Sequence, residues 1–462
     1  MKDATREVAP ATVNPERSSK QGGDIRARWA WVEPAVWSDR MLTALEEGVK
    51  EGVWFSLVDK LCVPRGLTRA WERVRVNRGA AGVDGETVEQ FSRHAEERLA
   101  KLSDHLKDGT YQPLPVRRVF IPKSDGRRRP LGIPAVCDRI VQTALRKVLE
   151  PIPSLRSRTC FEVEFCEHSY GFRPGRGAKD ALRRVDGLLK GGHRLVVDAD
   201  LQSYFDTIPH DRLMALLERR VADGRILGLV QAFLKQGVLE GMQEWNPTRG
   251  TPQGAVISPL LANIDLHPLD VSMRDAGYEM VRYADDFVVL CRSAEEAQRA
   301  LEHIQGWVDS AGLTLHPEKT RIVNVDEPGG FDFLGYHFER GYRWPRQRSL
   351  KKFKDAIRAK TRRTHGHSLS AIVADVNRTT RGWFGYFQPC PESRRNSHWT
   401  TFGPLDQWLR MRLRSILRRR IKLRGRGRGA DHQRRPNVYF AAAGLFTMVE
   451  AYRQARQSVA AH

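Results

Sequence analysis

Apolar positions along the chain follow two different periods, and the change between the periods divides the chain. Apolar residues recur at helical spacing between residues 41 and 190, as Leu57, Val58 and Leu61 do, and again from Leu350 onward. Between about 191 and 345, short runs of strand-forming residues alternate with helical segments. The pattern therefore predicts helical regions at both ends and a strand-bearing region between them. Residues 1–40 mix charges, Gly and Pro without a clear period.

Two of the apolar runs meet at a pair of acids, Asp285 and Asp286. Strand-forming residues precede and follow this pair, which predicts a β-hairpin with the acids at its tight turn. Neighbouring carboxylates repel each other, so a fold places them together mainly where cations neutralise them, and Mg²⁺ is the expected cation. Successive strand side chains point to opposite faces, so only one of the two can point directly at a shared metal site.

A second apolar run, beginning at Val196, also ends in acids. Asp200 lies 85 residues before Asp285, and an acid from this strand facing the hairpin turn would form a two-metal clamp for displacement at phosphorus. Acidic pairs are common in solvated turns, so the hairpin alone is weak support. Two strand-flanked acidic sites in a basic protein favour phosphoryl transfer. Asp198 and Asp206 are interpreted as structural, and the side chain of Asp198 is expected to point away from that of Asp200.

Two further segments have features that suit nucleotide binding. Residues 111–134 alternate like two strands, and the predicted hairpin carries Lys123 and Arg127 to Arg129 at its tip. A basic tip suits a triphosphate clamp, although charge that protects an edge strand from aggregation is an alternative. A Pro/Gly turn from Thr251 opens an apolar helix, which would direct backbone N–H groups and the amide of Gln253 at a phosphate or a base pair.

The positive charge of the chain is concentrated near its C-terminal end. Residues 1–340 hold 49 basic and 49 acidic residues, and residues 341–462 hold 28 basic and 6 acidic ones, which accounts for the whole net charge of +22. This asymmetry predicts a polyanionic partner held chiefly by the C-terminal part. Helices are predicted near 350–364, 369–388, 402–421 and 439–457, and an Arg-Gly segment at 424–429 is expected to become ordered on RNA. The predicted RNA-binding residues are Arg412, Arg418, Arg419, Arg420, Arg424, Arg426 and Arg428.

Composition excludes several other classes of protein. The six cysteines are scattered without a Cys-x-x-Cys pair, which argues against a disulfide framework and a zinc site. No apolar run reaches the roughly 18 residues needed to span a bilayer, and the first residues lack the apolar core of a secretory signal. We therefore expect a cytoplasmic protein without a membrane partner.

Taken in order, seven short motifs resemble those of the reverse transcriptases that group II introns encode. The basic C-terminal part, with Arg381 to Phe387 and Gly444 to Phe446, resembles the maturase (X or thumb) domain of that family. The resemblance covers roughly residues 50–457, and the order of the blocks is far more specific than any single block. The motifs are Ile121 to Lys123, Arg129 to Pro134, Ser169 to Pro174, Asp200 to Asp206, Thr251 to Pro259, Tyr283 to Asp286, and Phe331 to Tyr336.

The resemblance implies an α+β, right-hand polymerase. It implies fingers over 41–190, an antiparallel-sheet palm over 191–345, and a helical, basic thumb or maturase domain over 346–462. Residues 1–40, which lack a clear period, are interpreted as a largely irregular N-terminal extension. The family's metal-binding catalytic acids correspond to Asp200, Asp285 and Asp286, which would hold two Mg²⁺ ions.

The resemblance also assigns roles in nucleotide binding. Lys123 and Arg129 would hold the triphosphate, Gln253 would contact the nascent base pair, and Phe205 would exclude a 2′-hydroxyl. Lys319 would act as a general acid toward the departing pyrophosphate. From its spacing alone, Phe205 is equally consistent with a core aromatic, and an ordinary surface lysine is favoured for Lys319.

The implied activity is that of an RNA-directed DNA polymerase that binds its own intron RNA, assists splicing and copies the RNA. The implied partners are group II intron RNA, an RNA template with a DNA primer, dNTPs and target DNA. Two departures from the family stand out: the additional residues 153–160 affect the local fingers geometry, and no cysteine follows Cys390, so no C-terminal endonuclease domain is expected. A domesticated polymerase of defence or diversity generation, and an RNA-binding splicing cofactor with a silent polymerase site, are the alternatives.

Overall fold

The computed structural model describes residues 22–47, 57–122, 128–151, 165–388, 398–423 and 429–460. Its first part is mainly helical, as the spacing of apolar residues predicts, and one hairpin interrupts the helices. In chain order the elements are α1 Gly22–Arg28, α2 Asp39–Glu47, α3 Val58–Cys62, α4 Pro64–Asn77, α5 Val88–Arg93, α6 Ala95–Asp108, β1 Val116–Pro122, β2 Arg128–Ile133, α7 Val136–Leu149 and α8 Ala178–Lys190.

The middle of the chain contains most of the strands and makes the fold an α+β fold. Its elements are β3 Leu195–Asp200, α9 Tyr204–Thr207, α10 His210–Glu218, α11 Gly224–Leu234, β4 Val238–Glu240, β5 Gln243–Trp245, α12 Ser258–Asp275, β6 Glu279–Tyr283, β7 Asp286–Cys291, α13 Ala294–Ser310, β8 Arg321–Asn324, β9 Phe331–Phe333, β10 Tyr336–Glu339 and β11 Tyr342–Pro345.

A four-stranded antiparallel sheet of order β6-β7-β3-β8 forms the centre of this region. Both of its faces are buried. One face packs with apolar residues of α12 and α13, and the other packs with those of α8, so adjacent residues such as Val288 and Val289 enter two different cores. Burial on both sides explains why these strands are continuously apolar in sequence instead of alternating with polar residues. The carboxylates of Asp200, Asp285 and Asp286 lie at one end of this sheet.

The described residues form two further sheets, one of four strands and one of three. The hairpin of β1 and β2 is extended by β4 and β5 in the order β2-β1-β4-β5, with β1 parallel to β4. A three-stranded sheet has the order β11-β10-β9. The motif from Phe331 to Tyr336 does not form one continuous strand. Leu334 and Gly335 adopt φ angles of +47° and +83° and turn the chain, so that β9 and β10 pair with each other.

The last part of the chain is all helical in its described ranges, apart from a short π-helical turn at His398–Phe402. Three of the four helices predicted there are confirmed. The fourth, predicted over 439–457, is wrong because Gly444 adopts a φ of +78° and the chain turns between two helices. The elements are α14 Gln347–Lys360, α15 Leu369–Phe387, α16 Gly403–Arg420, α17 Ala430–Arg434, α18 Asn437–Ala442 and α19 Met448–Ala460.

Buried polar contacts hold these C-terminal helices together and to the sheets. The carboxylate of Asp406 accepts hydrogen bonds from the backbone N–H groups of Met448 and Val449, at 3.1 and 3.0 Å, and so satisfies donors at the start of α19. The hydroxyl of Tyr386 on α15 donates to the carbonyl of Leu334 at 2.7 Å. None of the helices in the described ranges is both long and apolar enough to cross a membrane.

Candidate active site

The predicted acidic hairpin is present, and its turn lies at the end of the central sheet. Tyr283 pairs with Asp286, so Ala284 and Asp285 form a two-residue loop between β6 and β7. Ala284 has a φ of +60°, and a positive φ at the first loop position is what a type II′ hairpin requires, usually from glycine. In the neighbouring pair of strands Asp200 lies directly opposite Asp286. Acids that are distant in sequence therefore meet at one end of the sheet, as the sequence predicts.

Burial and neighbouring carboxylates raise the pKa values of both acids of the turn. Burial, followed by the charges of Asp285, Asp198 and Asp200, raises the pKa of Asp286 to about 7. Burial, and then the charge of Asp200, raises the pKa of Asp285. Crowded carboxylates that resist ionisation are a site where a bound cation relieves repulsion. Oxygen donors of this type suit a hard divalent cation.

Asp198 lies on the same face of the sheet as Asp200, which corrects the prediction that the two side chains point apart. They are two positions apart on β3, and strand side chains repeat with a period of two. Burial raises the pKa of Asp198 to about 6, while the guanidinium of Arg321, 3.6 Å away, lowers it. Asp198 is therefore a fourth carboxylate near the turn, and it is held in an ion pair across to β8.

Lys319 lies beside Asp200, one of the three predicted metal-binding acids. The loop that carries it is fixed beside β3, because the backbone N–H of His316 donates to the carbonyl of Asp200 at 2.7 Å and that of Gln202 donates to Thr314 at 2.8 Å. The ammonium of Lys319 contacts the carboxylate of Asp200 directly. Within the ranges that the structure describes, no three His, Cys, Asp or Glu side chains lie close enough to hold a metal ion together. One of the three predicted ligands is instead paired with a lysine.

A buried arginine, Arg282, holds the acidic turn by a hydrogen bond to its backbone, and the sequence analysis did not identify this residue. Arg282 is 0% exposed; its Nε donates to Oδ1 of Asp270 at 2.6 Å, and Nη1 donates to the carbonyl of Ala284 at 2.8 Å. Nη1 also lies 3.1 Å from Oδ1 of Asn263, whose amide donates to the carbonyl of Gly171 at 2.9 Å. An arginine that directly follows the apolar residues Met280 and Val281 in β6 is the available signal, because a buried charge requires a partner.

Arg129 and Gln253, which are predicted to contact the incoming nucleotide, lie together. Nε of Arg129 on β2 donates to Oε1 of Gln253 at 2.7 Å. The backbone N–H of Gly132 donates to the carbonyl of Gln253 at 2.7 Å, and this bond attaches the hairpin to the loop before α12. Lys123, also predicted here, lies outside the described residues.

Phe205 lines a cavity of about 170 Å³ that Gln253 also lines. Its ring is 9% exposed and lies 5.5 Å, centroid to centroid, from that of Tyr204, so it is also part of the core. The carbonyl of Phe205 accepts the backbone N–H of Thr251 at 2.7 Å. A Cβ added to Gly250 would lie 2.7 Å from that carbonyl oxygen, which explains a glycine at this close approach. Both interpretations of Phe205, core aromatic and cavity wall, are therefore consistent with its position.

The arginines predicted to bind RNA on α16 differ in their surroundings. Nε of Arg412 donates to the hydroxyl of Thr361 at 2.6 Å. Nη1 of Arg418 donates to the buried carboxylate of Asp431 at 2.6 Å. Arg420 donates to the carbonyl of His367, and the side chain of Arg419 is exposed. Arg424, Arg426 and Arg428 lie outside the described residues.

Comparison with known families identifies the class of protein to which this fold and site belong. Residues 121–338 match the family described as "Reverse transcriptase (RNA-dependent DNA polymerase)". This range begins at Ile121, near the end of β1, and includes β2 and the central sheet. Residues 350–434, in the basic helical part, match the family described as "Group II intron, maturase-specific domain".

Several curated proteins resemble the chain over much of its length. "Protein YkfC" of Escherichia coli (strain K12) is 34% identical over 357 residues, which are 68% of this chain and 86% of that protein. "Group II intron-encoded protein LtrA" of Lactococcus lactis subsp. cremoris is 41% identical over 335 residues, or 58% of this chain, and the match spans about half (54%) of that protein. The "Uncharacterized 91 kDa protein in cob intron" of Schizosaccharomyces pombe is 30% identical over 55% of this chain and 38% of that protein. The chain belongs to the group II intron-encoded reverse transcriptases, RNA-directed DNA polymerases with a maturase domain.

Proposed function

We propose that Asp200, Asp285 and Asp286 are the catalytic acids with which this protein copies RNA into DNA, and that they bind two Mg²⁺ ions. The observation that supports this most directly is the register that places Asp200 opposite Asp286 beside the turn. When bound, the cations would activate the primer 3′-oxygen and stabilise the pyrophosphate leaving group. The donor set fits Mg²⁺ by its chemistry, provided that Asp200 releases Lys319.

The incoming dNTP occupies the cavity beside Phe205 in this proposal. Arg129 binds the triphosphate through its planar guanidinium, and Gln253 contacts the nascent base pair. The hydrogen bond between their side chains supports a shared nucleotide site, because it holds the two residues next to each other. The ring of Phe205 excludes ribonucleotides because a 2′-hydroxyl would overlap with it. Such a steric clash distinguishes dNTP from rNTP better than an apolar pocket with room for the hydroxyl would. Lys319 donates a proton toward the departing pyrophosphate.

The proposed division of the chain follows the right-hand polymerase plan. Residues 41–190 form the fingers, 191–345 the palm and 346–462 the thumb or maturase domain. The basic helical part binds group II intron RNA during splicing and the template–primer during copying, and target DNA provides the primer for copying. The charge of the C-terminal part, with 28 basic and 6 acidic residues over 341–462, supports this assignment.

Primer extension on an RNA template tests the proposal. Replacing Asp285 and Asp286 by Ala is expected to abolish dNTP incorporation while the Kd for intron RNA stays nearly unchanged. Asp326→Ala is a matched control, because Asp326 is an exposed acid paired with Arg194 at 3.5 Å after β8, and it should extend primers normally. Incorporation by the double variant would show that the acids do not catalyse the reaction, and joint loss of extension and RNA binding would make them structural.

A further inference from the structure

Tyr204, the residue that precedes Phe205, is anchored in the core by its hydroxyl. Its side chain is 2% exposed, and the hydroxyl donates to Oδ2 of Asp265 at 2.9 Å and lies 3.1 Å from the carbonyl oxygen of Ala262. Both of these oxygens belong to α12. A carboxylate is the stronger acceptor of the two, because it carries charge. The far end of the Tyr204 ring is therefore attached to α12.

The carboxylate that holds Tyr204 is itself held by an arginine. Asp265 is 0% exposed, and Nη1 of Arg212 on α10 donates to its Oδ1, while Nη2 donates to its backbone carbonyl at 3.1 Å. The guanidinium lies 4.8 Å from the ring centroid of Trp307 on α13. A buried carboxylate with a partner at each oxygen has one stable orientation. Asp265 is therefore a fixed acceptor for the hydroxyl of Tyr204.

The backbone between this anchor and the cavity has little freedom. Ser203 adopts a φ of +47°, which is unfavourable for a residue other than glycine and which occurs mainly where the surrounding structure requires it. On the other side, the carbonyl of Phe205 accepts the backbone N–H of Thr251, in the loop that carries Gln253. The rings of Tyr204 and Phe205 meet at 67° with their centroids 5.5 Å apart. The position of the Phe205 ring is therefore coupled to the anchor of Tyr204.

We propose that Tyr204, held by Asp265 and Arg212, is a positioning residue that keeps the ring of Phe205 where it excludes a 2′-hydroxyl. This inference rests on the proposed function, in which Phe205 rejects ribonucleotides. A steric wall discriminates between sugars only if it cannot move aside. Specificity sites need their side chains held to within about 0.5 Å by packing and by hydrogen bonds from supporting residues. Sugar selectivity then depends on a hydroxyl that does not touch the nucleotide.

Tyr204→Phe tests the inference, because it removes the hydroxyl and keeps the ring. The readout is the ratio of kcat/KM for dNTP to kcat/KM for rNTP in primer extension on an RNA template by the full chain. This ratio should fall about fivefold, the factor that corresponds to one ordinary hydrogen bond. The fall should come from a higher kcat/KM for rNTP, with that for dNTP near the value of the parent protein. A variant that only loosens the fold would lose activity toward both nucleotides.

A double variant tests whether Tyr204 acts through Phe205. Phe205→Ala already removes the wall, so the addition of Tyr204→Phe to this variant should change the ratio no further. Two residues that act through one contact have non-additive effects, whereas independent residues have additive ones.

Tyr111→Phe is the matched control. The hydroxyl of Tyr111 also donates to a carboxylate that is 0% exposed, that of Asp138, so this variant loses a hydrogen bond of the same kind at another place in the molecule. Its Tm should fall about as far as that of Tyr204→Phe, and its ratio of kcat/KM values should equal that of the parent protein.

The outcomes distinguish this inference from the proposed role of Phe205. An unchanged ratio for Tyr204→Phe, an equal fall for Tyr111→Phe, or a further fall when Tyr204→Phe is added to Phe205→Ala would overturn the inference about Tyr204. If Phe205→Ala alone lowers the ratio in any of these cases, the role of Phe205 stands without the inference. An unaltered ratio for Phe205→Ala would overturn the role of Phe205 itself, and the inference with it.

Discussion

The guanidinium of Arg282 and the carboxylate of Asp270 form a fully buried, two-point ion pair beneath the acidic turn. Nε donates to Oδ1 at 2.6 Å, and Nη2 contacts Oδ2. The same guanidinium donates to the carbonyl of Ala284. The strained first position of the turn is thus tied to α12, so the backbone that carries Asp285 is fixed by charge as well as by strand pairing.

Removing Arg282 is expected to lower the free energy of unfolding by more than the loss of its own hydrogen bonds would. Arg282→Met leaves Asp270 as an unpaired buried charge, and the free energy of unfolding should fall by about 3–5 kcal/mol. Chemical denaturation measures this effect. The double variant with Asp270→Leu removes both charges and should recover most of the stability, but primer extension should stay slow because the bond to Ala284 is absent. Full recovery of kcat in the double variant would contradict a positioning role.

The raised pKa of Asp286 predicts a pH dependence of stability in metal-free protein. Its pKa is about 7 in the folded chain, because burial and neighbouring acids disfavour the charged form, and about 4 when unfolded. The contribution of the protonated Asp286 carboxyl to the free energy of unfolding is therefore fully present below about pH 4, and it is lost as the pH rises through about 7. Asp286→Asn should raise the free energy of unfolding more at pH 8 than at pH 5, by on the order of a few kcal/mol. Equal gains at both pH values would argue against a raised pKa. Asp326→Asn is the control, because Asp326 is an exposed acid whose partner, Arg194, stays charged at both pH values.

Substituting Lys319 should separate catalysis from stability. The ion pair with Asp200 is about half exposed, so Lys319→Met should change the free energy of unfolding by less than about 1 kcal/mol. If the ammonium acts as general acid, kcat should fall by about 10²-fold with an unchanged KM for dNTP, as measured by single-turnover extension. Lys190→Met, at an exposed lysine ending α8, is the control. A kcat equal to that of the parent protein would leave Lys319 with only its contact to Asp200.

Phe205→Ala is expected to admit ribonucleotides and to destabilise the protein. The ring lines the cavity and packs on Tyr204, so its loss should lower the free energy of unfolding by about 3 kcal/mol. The ratio of kcat/KM for dNTP to that for rNTP should fall by roughly 10-fold or more, since the added space accommodates a 2′-hydroxyl. Reduced stability with an unaltered sugar preference would identify Phe205 as a core residue alone.

Neighbouring arginines of α16 should respond differently to neutralisation. Arg418→Gln leaves Asp431, which is 1% exposed, without its ion pair, so the free energy of unfolding should fall by about 3 kcal/mol. Arg419→Gln, at an exposed residue, should leave stability unchanged, weaken RNA binding and lower the slope of log Kobs against log salt by about 1. An unchanged salt slope for Arg419→Gln would remove this residue from the RNA-binding surface.

Several elements follow from sequence because they depend on local patterns. The apolar runs on either side of Asp285 and Asp286 encode a hairpin, and the helical spacing of apolar residues before residue 190 encodes helices such as α8, Ala178–Lys190. The last predicted helix fails at Gly444, since apolar spacing does not register a single residue with a positive φ. Periodicity describes which residues share a face, and backbone angles at one position can interrupt it.

The amino-acid sequence by itself determined the acidic hairpin, the acid-ending strand and the charge asymmetry. Tertiary structure alone decided that Lys319 meets Asp200, 119 positions away, that Asp270 neutralises Arg282, and that Arg418 is paired with a buried acid while Arg419 is exposed. The physical reason is that a local pattern specifies the conformation of a segment and the direction of its side chains, whereas strand register and helix packing specify which side chain lies opposite. Charges distant in sequence acquire partners only when those surfaces come together.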